Sequence, residues 1–149
     1  MQGIPRIVTA AADTPFFPRD LAAMAEGQAV PYDALVAWSR TRAAAQPCFI
    51  EGVGGAMVPL TAEHTTRDWM RALNLPLILV AGSYLGSISH TLTALEALDG
   101  MAVQAIILSE SAQSTVSLEA TRDSLARHTE TLLVLQPRVS SYREASAIH

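Results

Sequence analysis

Short apolar runs alternate with segments of helical spacing from residue 47 onward, and this alternation restricts the possible folds more than any other feature of the chain. The runs of strand length span residues 47–51, 76–81, 103–108 and 131–135. Helical spacing of apolar residues separates them, at 65–73, 87–98 and 115–127. The pattern therefore predicts an α/β fold with a parallel sheet, helices on both faces in three layers, and strands buried on both sides.

The first 46 residues differ from the rest, because prolines repeatedly interrupt any periodic pattern there. We expect an irregular segment over 1–46, a βαβαβαβ core over 47–137 and a tail over 138–149. All 149 residues are expected to form one domain, since a chain of this length hides roughly 70% of its unfolded surface.

The chain contains no lysine: all 10 of its Lys and Arg residues are Arg. This excludes a self-contained phosphate-binding loop of the G-x-x-x-x-G-K-[ST] type, whose ammonium reaches the β- and γ-phosphates. The formal net charge is −4 with no cluster of arginines, so we expect no nucleic-acid partner. No apolar run approaches the roughly 20 residues that span a bilayer, and we expect a soluble cytoplasmic protein with no membrane association.

Glycines follow the first predicted strand and suggest a ligand loop at its carboxyl end. Ligands of parallel sheets bind at that end of the strands. Glu51 leaves the apolar run and enters Gly52, Val53, Gly54 and Gly55, whose bare backbone could approach a phosphate. The Glu51 carboxylate suits Mg²⁺, which prefers oxygen ligands. The alternative is a glycine turn with an exposed glutamate.

The second predicted strand ends at a similar glycine-containing loop, which precedes a helix. Free N–H groups at a helix start attract anions, and Gly86, Ser87 and Ser89 stand at this start. Ser87 could equally act as a plain N-cap. For His90 we expect a solvated or hydrogen-bonded side chain rather than a catalytic one.

Three other kinds of residue carry weaker signals. Ser109 and Glu110, at the end of the next strand, could line a base or ribose pocket. His64 and His128 lack neighbours at metal-ligand spacing. Cys48 is the only cysteine, and its apolar neighbours predict a buried thiol rather than a nucleophile.

Four motifs in order resemble the C-terminal half of the dethiobiotin synthetase family. The motifs are CFIEGVGGAMVPL at 48–60 with Asp68-Trp69 after it, LPLILV at 75–80, LGSISHTL at 85–92 and LEAL at 95–98. The resemblance runs from about Phe17 to Glu144. It implies a P-loop NTPase-like fold and a homodimer that uses ATP and Mg²⁺ to carboxylate 7,8-diaminopelargonate and close its ureido ring.

The resemblance also assigns roles by position. Glu51 matches the Mg²⁺ ligand, and the loop Glu51, Gly52, Val53 and Gly54 lies beside the ATP phosphates. In the family's dimer the stretch matching Gly86, Ser87 and Ser89 binds the substrate carboxylate of the neighbouring subunit. The residues matching the adenine and ribose contacts are Ser109, Pro137, Arg138, Val139 and Glu144.

The chain departs from the family pattern in three respects. Ser89 and Ser109 replace two asparagines of the family, and a hydroxyl cannot reproduce a two-pronged amide contact with adenine. The family's N-terminal half, with its phosphate-binding loop, two lysines and second Mg²⁺ carboxylate, has no counterpart here. We therefore expect a domain truncated at its N-terminus and without its central P-loop strand, and doubtful activity for the chain alone, with no catalytic residue to assign.

Residues 3–21 resemble a second family, the molybdenum-cofactor guanylyltransferases. That resemblance makes Asp13 a candidate Mg²⁺ ligand and raises a fused gene as an explanation. Two alternatives to an enzyme of the dethiobiotin synthetase family stay open. One is a non-catalytic binding or dimerisation module, and the other is a fragment fused to a guanylyltransferase-like segment.

Overall fold

A computed structural model describes residues 31–45, 47–52, 54–112 and 114–138. The chain falls into two compact units that divide between Leu75 and Pro76. The first contains helices α1 (Tyr32–Ala45) and α2 (Thr66–Leu73). The second contains, in order, β1 (Leu77–Gly82), α3 (Ser87–Ala97), β2 (Val103–Ser109), α4 (Leu118–Leu125) and β3 (Leu132–Gln136). Among the described residues no helix is long and apolar enough to cross a membrane.

Helix α1 corrects the prediction of an irregular segment up to residue 46. Proline is tolerated at a helix start but not in its interior. Pro31 stands just before the helix and Pro47 two residues after it, so the prolines bound the helix rather than interrupt it, and the Pro31 carbonyl accepts from Leu35 N–H at 3.0 Å. The helix buries Leu35 and Val36 against Trp69 of α2.

Helix α2 lies within the predicted helical stretch 65–73, and its N-cap is Thr65. The Thr65 N–H donates to an Asp68 carboxylate oxygen at 2.8 Å, and the Thr65 hydroxyl oxygen accepts from Asp68 N–H at 3.4 Å. This reciprocal capping box satisfies two N–H groups that a helix start leaves unpaired. Asn74 ends the helix in the left-handed conformation, at φ 52° and ψ 41°.

The predicted strand at 47–51 is wrong. The described residues 47–52 are neither helix nor strand, and no named strand of the first unit's described residues lies alongside to pair with them. An apolar run becomes a strand only when a neighbouring strand takes up its backbone N–H and C=O groups. Cys48 in this run is half-buried rather than buried, and it is a free thiol.

The second unit is built on a parallel sheet in the order β1-β2-β3, as the alternation predicts. Register pairs Leu79 with Ile106 and Ile106 with Leu133. The last residues of the strands also align, since Gly82 pairs with Ser109 and Ser109 with Gln136. All three strands therefore end at one edge of the sheet.

One face of this sheet carries the core of the second unit. Ile106 and Leu108 are fully buried there, and Leu118 and Leu125 of α4 pack against them. Helix α3 contributes partly buried residues to the same cluster: Ile88, Leu92 and Leu95. Both described helices of this unit thus cover one face.

The opposite face of the sheet is open in the part of the chain that the structure describes. Its exposed side chains are Ile78 (49%), Val80 (65%), Leu132 (63%) and Val134 (40%). Successive side chains of a strand point to opposite faces, so β1 and β3 alternate between half-buried and exposed residues over most of their length. The prediction that the strands are buried on both faces is therefore wrong for these described residues.

Truncating Leu108 should destabilise the chain far more than the same change at Leu132. Leu108→Ala removes a fully buried side chain and leaves a cavity, so we expect a loss of about 3 kcal/mol in the free energy of unfolding. Leu132→Ala, at a residue 63% exposed, should cost under about 1 kcal/mol. Urea denaturation of both variants measures the difference, and equal losses would contradict this account of the core.

The capping box of α2 should make stability depend on pH. Hydrogen bonds, first from the Thr65 N–H and then from its hydroxyl, lower the pKa of the Asp68 carboxyl. A carboxyl with a lowered folded pKa contributes stability above its unfolded pKa, and this is lost as the pH falls through the folded value. The stability difference between the native chain and Asp68→Asn should therefore shrink as the pH is lowered from about 6 to below the ordinary aspartate pKa of about 3.9.

The control is Asp99→Asn, which removes an exposed carboxylate outside any capping box. Urea midpoints measured across this pH range should separate the two variants. A difference at Asp68 that does not change with pH would show that the capping box carries no pH-dependent stability.

Candidate functional site

The carboxyl edge of the second unit's sheet gathers polar residues from three loops. Because Gly82, Ser109 and Gln136 end their strands in register, the residues that follow each strand come together there. Ligands of parallel sheets bind at this edge. The fold therefore brings the predicted residues of the β1–α3 loop close to those that end β2 and β3.

Ser83 joins the loops that follow β1 and β2. It is fully buried, its N–H donates to the Ser109 carbonyl at 3.2 Å, and its hydroxyl oxygen accepts from Ser111 N–H at 3.2 Å. Gly82 leaves room for this contact: a Cβ there would lie 2.8 Å from Ser111 Oγ and 2.9 Å from Tyr84 Cδ1. A larger residue at this position would force the Ser111 and Tyr84 side chains to shift.

A tight turn leads from β1 into helix α3. The Tyr84 carbonyl accepts from Ser87 N–H at 2.9 Å, and Gly86 lies at φ 92° and ψ −8°, the geometry of the third residue of a type II turn. Gly86 is also the N-cap, so the prediction that Ser87 could be the N-cap is wrong. Ser87 is the first helical residue and is 2% exposed, because its side chain turns inward.

The start of α3 has no side-chain cap among the described residues. Its regular hydrogen bonds begin with His90 N–H donating to the Gly86 carbonyl at 3.1 Å. The N–H groups of Ile88 and Ser89 precede that bond and have no partner within the helix. In α2 and α4, by contrast, the side chains of Thr65 and Ser117 each accept a backbone N–H. The first turn of α3 can therefore donate to an anion.

His90 is hydrogen-bonded, as the sequence indicates. Its Nδ1 lies 2.9 Å from the Tyr84 hydroxyl, and the two rings are tilted by 50° with centroids 5.7 Å apart. The Cε1 edge of the imidazole lies beside the turn, 3.9 Å from the place where a Cβ on Gly86 would stand.

The predicted base and ribose residues that the structure describes lie at the ends of β2 and β3. Glu110 N–H donates to the Gln136 carbonyl at 3.0 Å, and a Glu110 carboxylate oxygen accepts from Arg138 N–H at 2.9 Å. These bonds bring Ser109 and Pro137 together with Arg138, which is exposed. Val139 and Glu144 lie outside the described residues.

The predicted phosphate loop belongs to the first unit. Glu51 is exposed and Gly54 has φ 86°, so the backbone turns sharply where the sequence places the loop. The backbone at Gly52 lies close to the start of α2, since a Cβ on Gly52 would come within 2.7 Å of Thr66 Cγ2. Val53 and Asp13 lie outside the described residues.

A contact of His64 also belongs to the first unit. Its ring stacks on Tyr32 at 3.9 Å between centroids, and its Nδ1 lies 3.2 Å from Thr61 Oγ1. Burial, followed by the charges of Asp68 and Asp33, raises the pKa of Tyr32. Within the described ranges no three His, Cys, Asp or Glu side chains cluster as a metal site would require.

Comparison with known proteins defines the class. A family model described as an AAA domain matches residues 6–139. The chain belongs to this family, and the parallel sheet with its helices agrees with an α/β fold.

Individual relatives narrow the class further. Over 113 residues the chain is 50% identical to the ATP-dependent dethiobiotin synthetase BioD of Acidiphilium cryptum, an alignment that covers 73% of this chain and 51% of that protein. The enzyme of the same name from Methylobacterium nodulans is 48% identical, with the same coverage. That of Anaeromyxobacter dehalogenans is 35% identical over 85% of this chain and 60% of the relative. The chain spans about half the length of the first two.

Sequence reasoning missed Tyr84 and Ser111. Neither stands in a motif, and Tyr84 reaches His90 only because the intervening turn reverses the chain. The glycine at position 82 is the available signal, since a glycine that ends an apolar strand often marks a close approach of other atoms.

Adding one methyl group at Gly82 should disturb the site more than the same addition at Gly55. Gly82→Ala forces the alanine Cβ against Ser111 Oγ and the Tyr84 ring, and we expect a loss of about 1–3 kcal/mol in the free energy of unfolding. A Cβ on Gly55 meets nothing within 4 Å, so Gly55→Ala should change stability by less than about 1 kcal/mol. Thermal denaturation compares them, and a neutral Gly82→Ala would refute the close packing.

Proposed function

We propose that this chain carries the carboxylate-binding and nucleotide-base-binding part of a dethiobiotin synthetase. The reaction would be the ATP-dependent carboxylation of 7,8-diaminopelargonate and closure of its ureido ring. The observation that carries the proposal is the 50% identity, over 113 residues, to a relative named ATP-dependent dethiobiotin synthetase. We also propose that the protein acts in the cytoplasm.

The first turn of α3 is the proposed carboxylate site. The N–H groups of Ile88 and Ser89 have no partner within the helix, Gly86 adds no side chain in front of them, and the helix dipole favours a negative charge there. The Ser89 side chain is exposed and supplies a hydroxyl donor beside them. Together these groups would bind and orient the carboxylate of the diamine.

The proposed base and ribose site lies at the ends of β2 and β3. Ser109, Pro137 and Arg138 are held together there through the hydrogen bonds of Glu110. Val139 and Glu144 complete the site in this proposal. A serine hydroxyl at 109 offers one contact in place of the two an amide would make, so this chain should discriminate less strictly among bases.

Glu51 is the proposed Mg²⁺ ligand. Its carboxylate is exposed, and Mg²⁺ is commonly held by one or two carboxylates together with water and phosphate oxygens. The residue present is thus of the right kind, and the glycine-rich loop Gly52, Val53 and Gly54 would lie beside the phosphates. When bound, Mg-ATP would supply the phosphoryl group that activates the carboxylated amine.

We include a homodimer in the proposal. In the family the stretch that matches Gly86, Ser87 and Ser89 serves the substrate of the neighbouring subunit. Leu85, in the turn before that stretch, is 88% exposed, which suits a contact made by a second molecule.

Two ligands that differ only in the carboxylate test the proposal. Isothermal titration calorimetry of the full chain should show 7,8-diaminopelargonate binding at least about tenfold more tightly than 2,3-diaminononane, because charge-assisted hydrogen bonds to the carboxylate are lost in the latter. Equal affinities, or no binding of either compound, would contradict the carboxylate site.

Two further measurements separate an enzyme part from a binding module. With diaminopelargonate, bicarbonate and Mg-ATP, ADP release by the purified chain should stay near background, since the 149 residues contain no lysine. Mg-ATP should nevertheless bind, and Glu51→Gln should weaken that binding while leaving diaminopelargonate binding unchanged. Diamine binding without any ATP binding would favour the non-catalytic module instead.

A further inference from the structure

We propose that Tyr84 is a positioning residue for the carboxylate site: its hydrogen bond to His90 holds the turn that presents the first N–H groups of α3. This inference rests on the proposed function, because the ligand is the carboxylate of the diamine. It adds two residues, Tyr84 and His90, that the family resemblance does not assign to the site.

Tyr84 is anchored to the rest of the edge at both its backbone and its side chain. Its carbonyl accepts from Ser87 N–H at 2.9 Å and so closes the turn. Its ring lies over Gly82, where a Cβ would come within 2.9 Å of Tyr84 Cδ1. The residue between them, Ser83, is fully buried and bonded to the loop after β2. These contacts therefore fix the position of Tyr84 relative to the strand ends.

The Tyr84 side chain then reaches over the turn to α3. The bond from its hydroxyl to His90 Nδ1, at 2.9 Å, links the loop to the first turn of the helix. The backbone of that helical turn is tied to the same place, because His90 N–H donates to the Gly86 carbonyl at 3.1 Å. Two hydrogen bonds therefore restrain Gly86: the backbone bond that its own carbonyl accepts from His90, and the side-chain bond between Tyr84 and His90 on either side of it.

These two bonds matter because Gly86 has the greatest backbone conformational freedom of any residue in the turn. Glycine loses more conformational freedom on folding than any other residue, and at φ 92° it stands at the N-cap without a capping side chain among the described residues. A side-chain bond across the turn reduces that freedom before the ligand arrives. Preorganised N–H groups bind an anion more tightly than groups the anion must order.

The bond also fixes the imidazole. In a neutral histidine one ring nitrogen accepts and the other donates. A phenol that donates to Nδ1 leaves the proton on Nε2, and the ring edge then lies beside Gly86. Asparagine would offer an acceptor close to the position of Nδ1, whereas alanine would offer none.

A set of variants tests the role of the bond by titration with 7,8-diaminopelargonate. Tyr84→Phe and His90→Ala should each weaken binding about fivefold, the worth of one hydrogen bond, and the double variant should be no weaker than either single one. His90→Asn should restore most of the affinity. The matched control, Tyr32→Phe, removes a hydroxyl in the first unit and should leave the affinity unchanged.

Amide hydrogen exchange gives a readout that does not need the ligand. The amides of Ser87 and His90, which are hydrogen-bonded to the Tyr84 and Gly86 carbonyls, should exchange faster in Tyr84→Phe than in Tyr32→Phe, at equal thermal stability. Unchanged affinity in Tyr84→Phe, or additive losses in the double variant, would overturn the positioning role while leaving the proposed function standing. Failure of the native chain to bind the diamine would overturn both.

Discussion

The pairing of β2 with a parallel strand on each side is the interaction on which the second unit depends. It places Ile106 and Leu108 at the centre of the core and brings three strand ends into line. Parallel strands need a crossover connection, and both crossovers run through helices on the same face. The same strand register therefore sets both the polar edge and the apolar core. A shift in the pairing of these strands would displace the residues of both.

Much of the second unit could be predicted from sequence because its signals are local. Apolar runs bounded by glycine and proline located β1, β2 and β3 to within a residue or two, and helical spacing located α3. Helix α4 begins at Leu118 rather than at residue 115, because Ser117 caps it. The pattern could not show that one face of the sheet is open, since burial depends on what covers a strand and not on the strand itself.

The first unit was harder to predict for the same physical reason. The apolar run 47–51 has the composition of a strand, yet a strand exists only through its partner. The prolines around α1 suggested interruption, although Pro31 and Pro47 stand outside the helix. Of the candidate site, the helix start at Gly86 and the position of Ser109 followed from strand ends, whereas Arg138 was named only by the family resemblance. The Tyr84–His90 contact did not, because a turn that reverses the chain has no periodic signature.

The distribution of tryptophan has a practical consequence. Both tryptophans lie in the first unit: Trp69 is 8% exposed within the α1–α2 cluster, and Trp38 lies on α1 with the Arg42 guanidinium 5.5 Å from its ring centre. The second unit has none. Intrinsic indole fluorescence therefore reports on the helical pair alone, whereas far-ultraviolet circular dichroism sums over both units. Recording the two signals through one denaturation would show whether the units lose their structure together or in sequence.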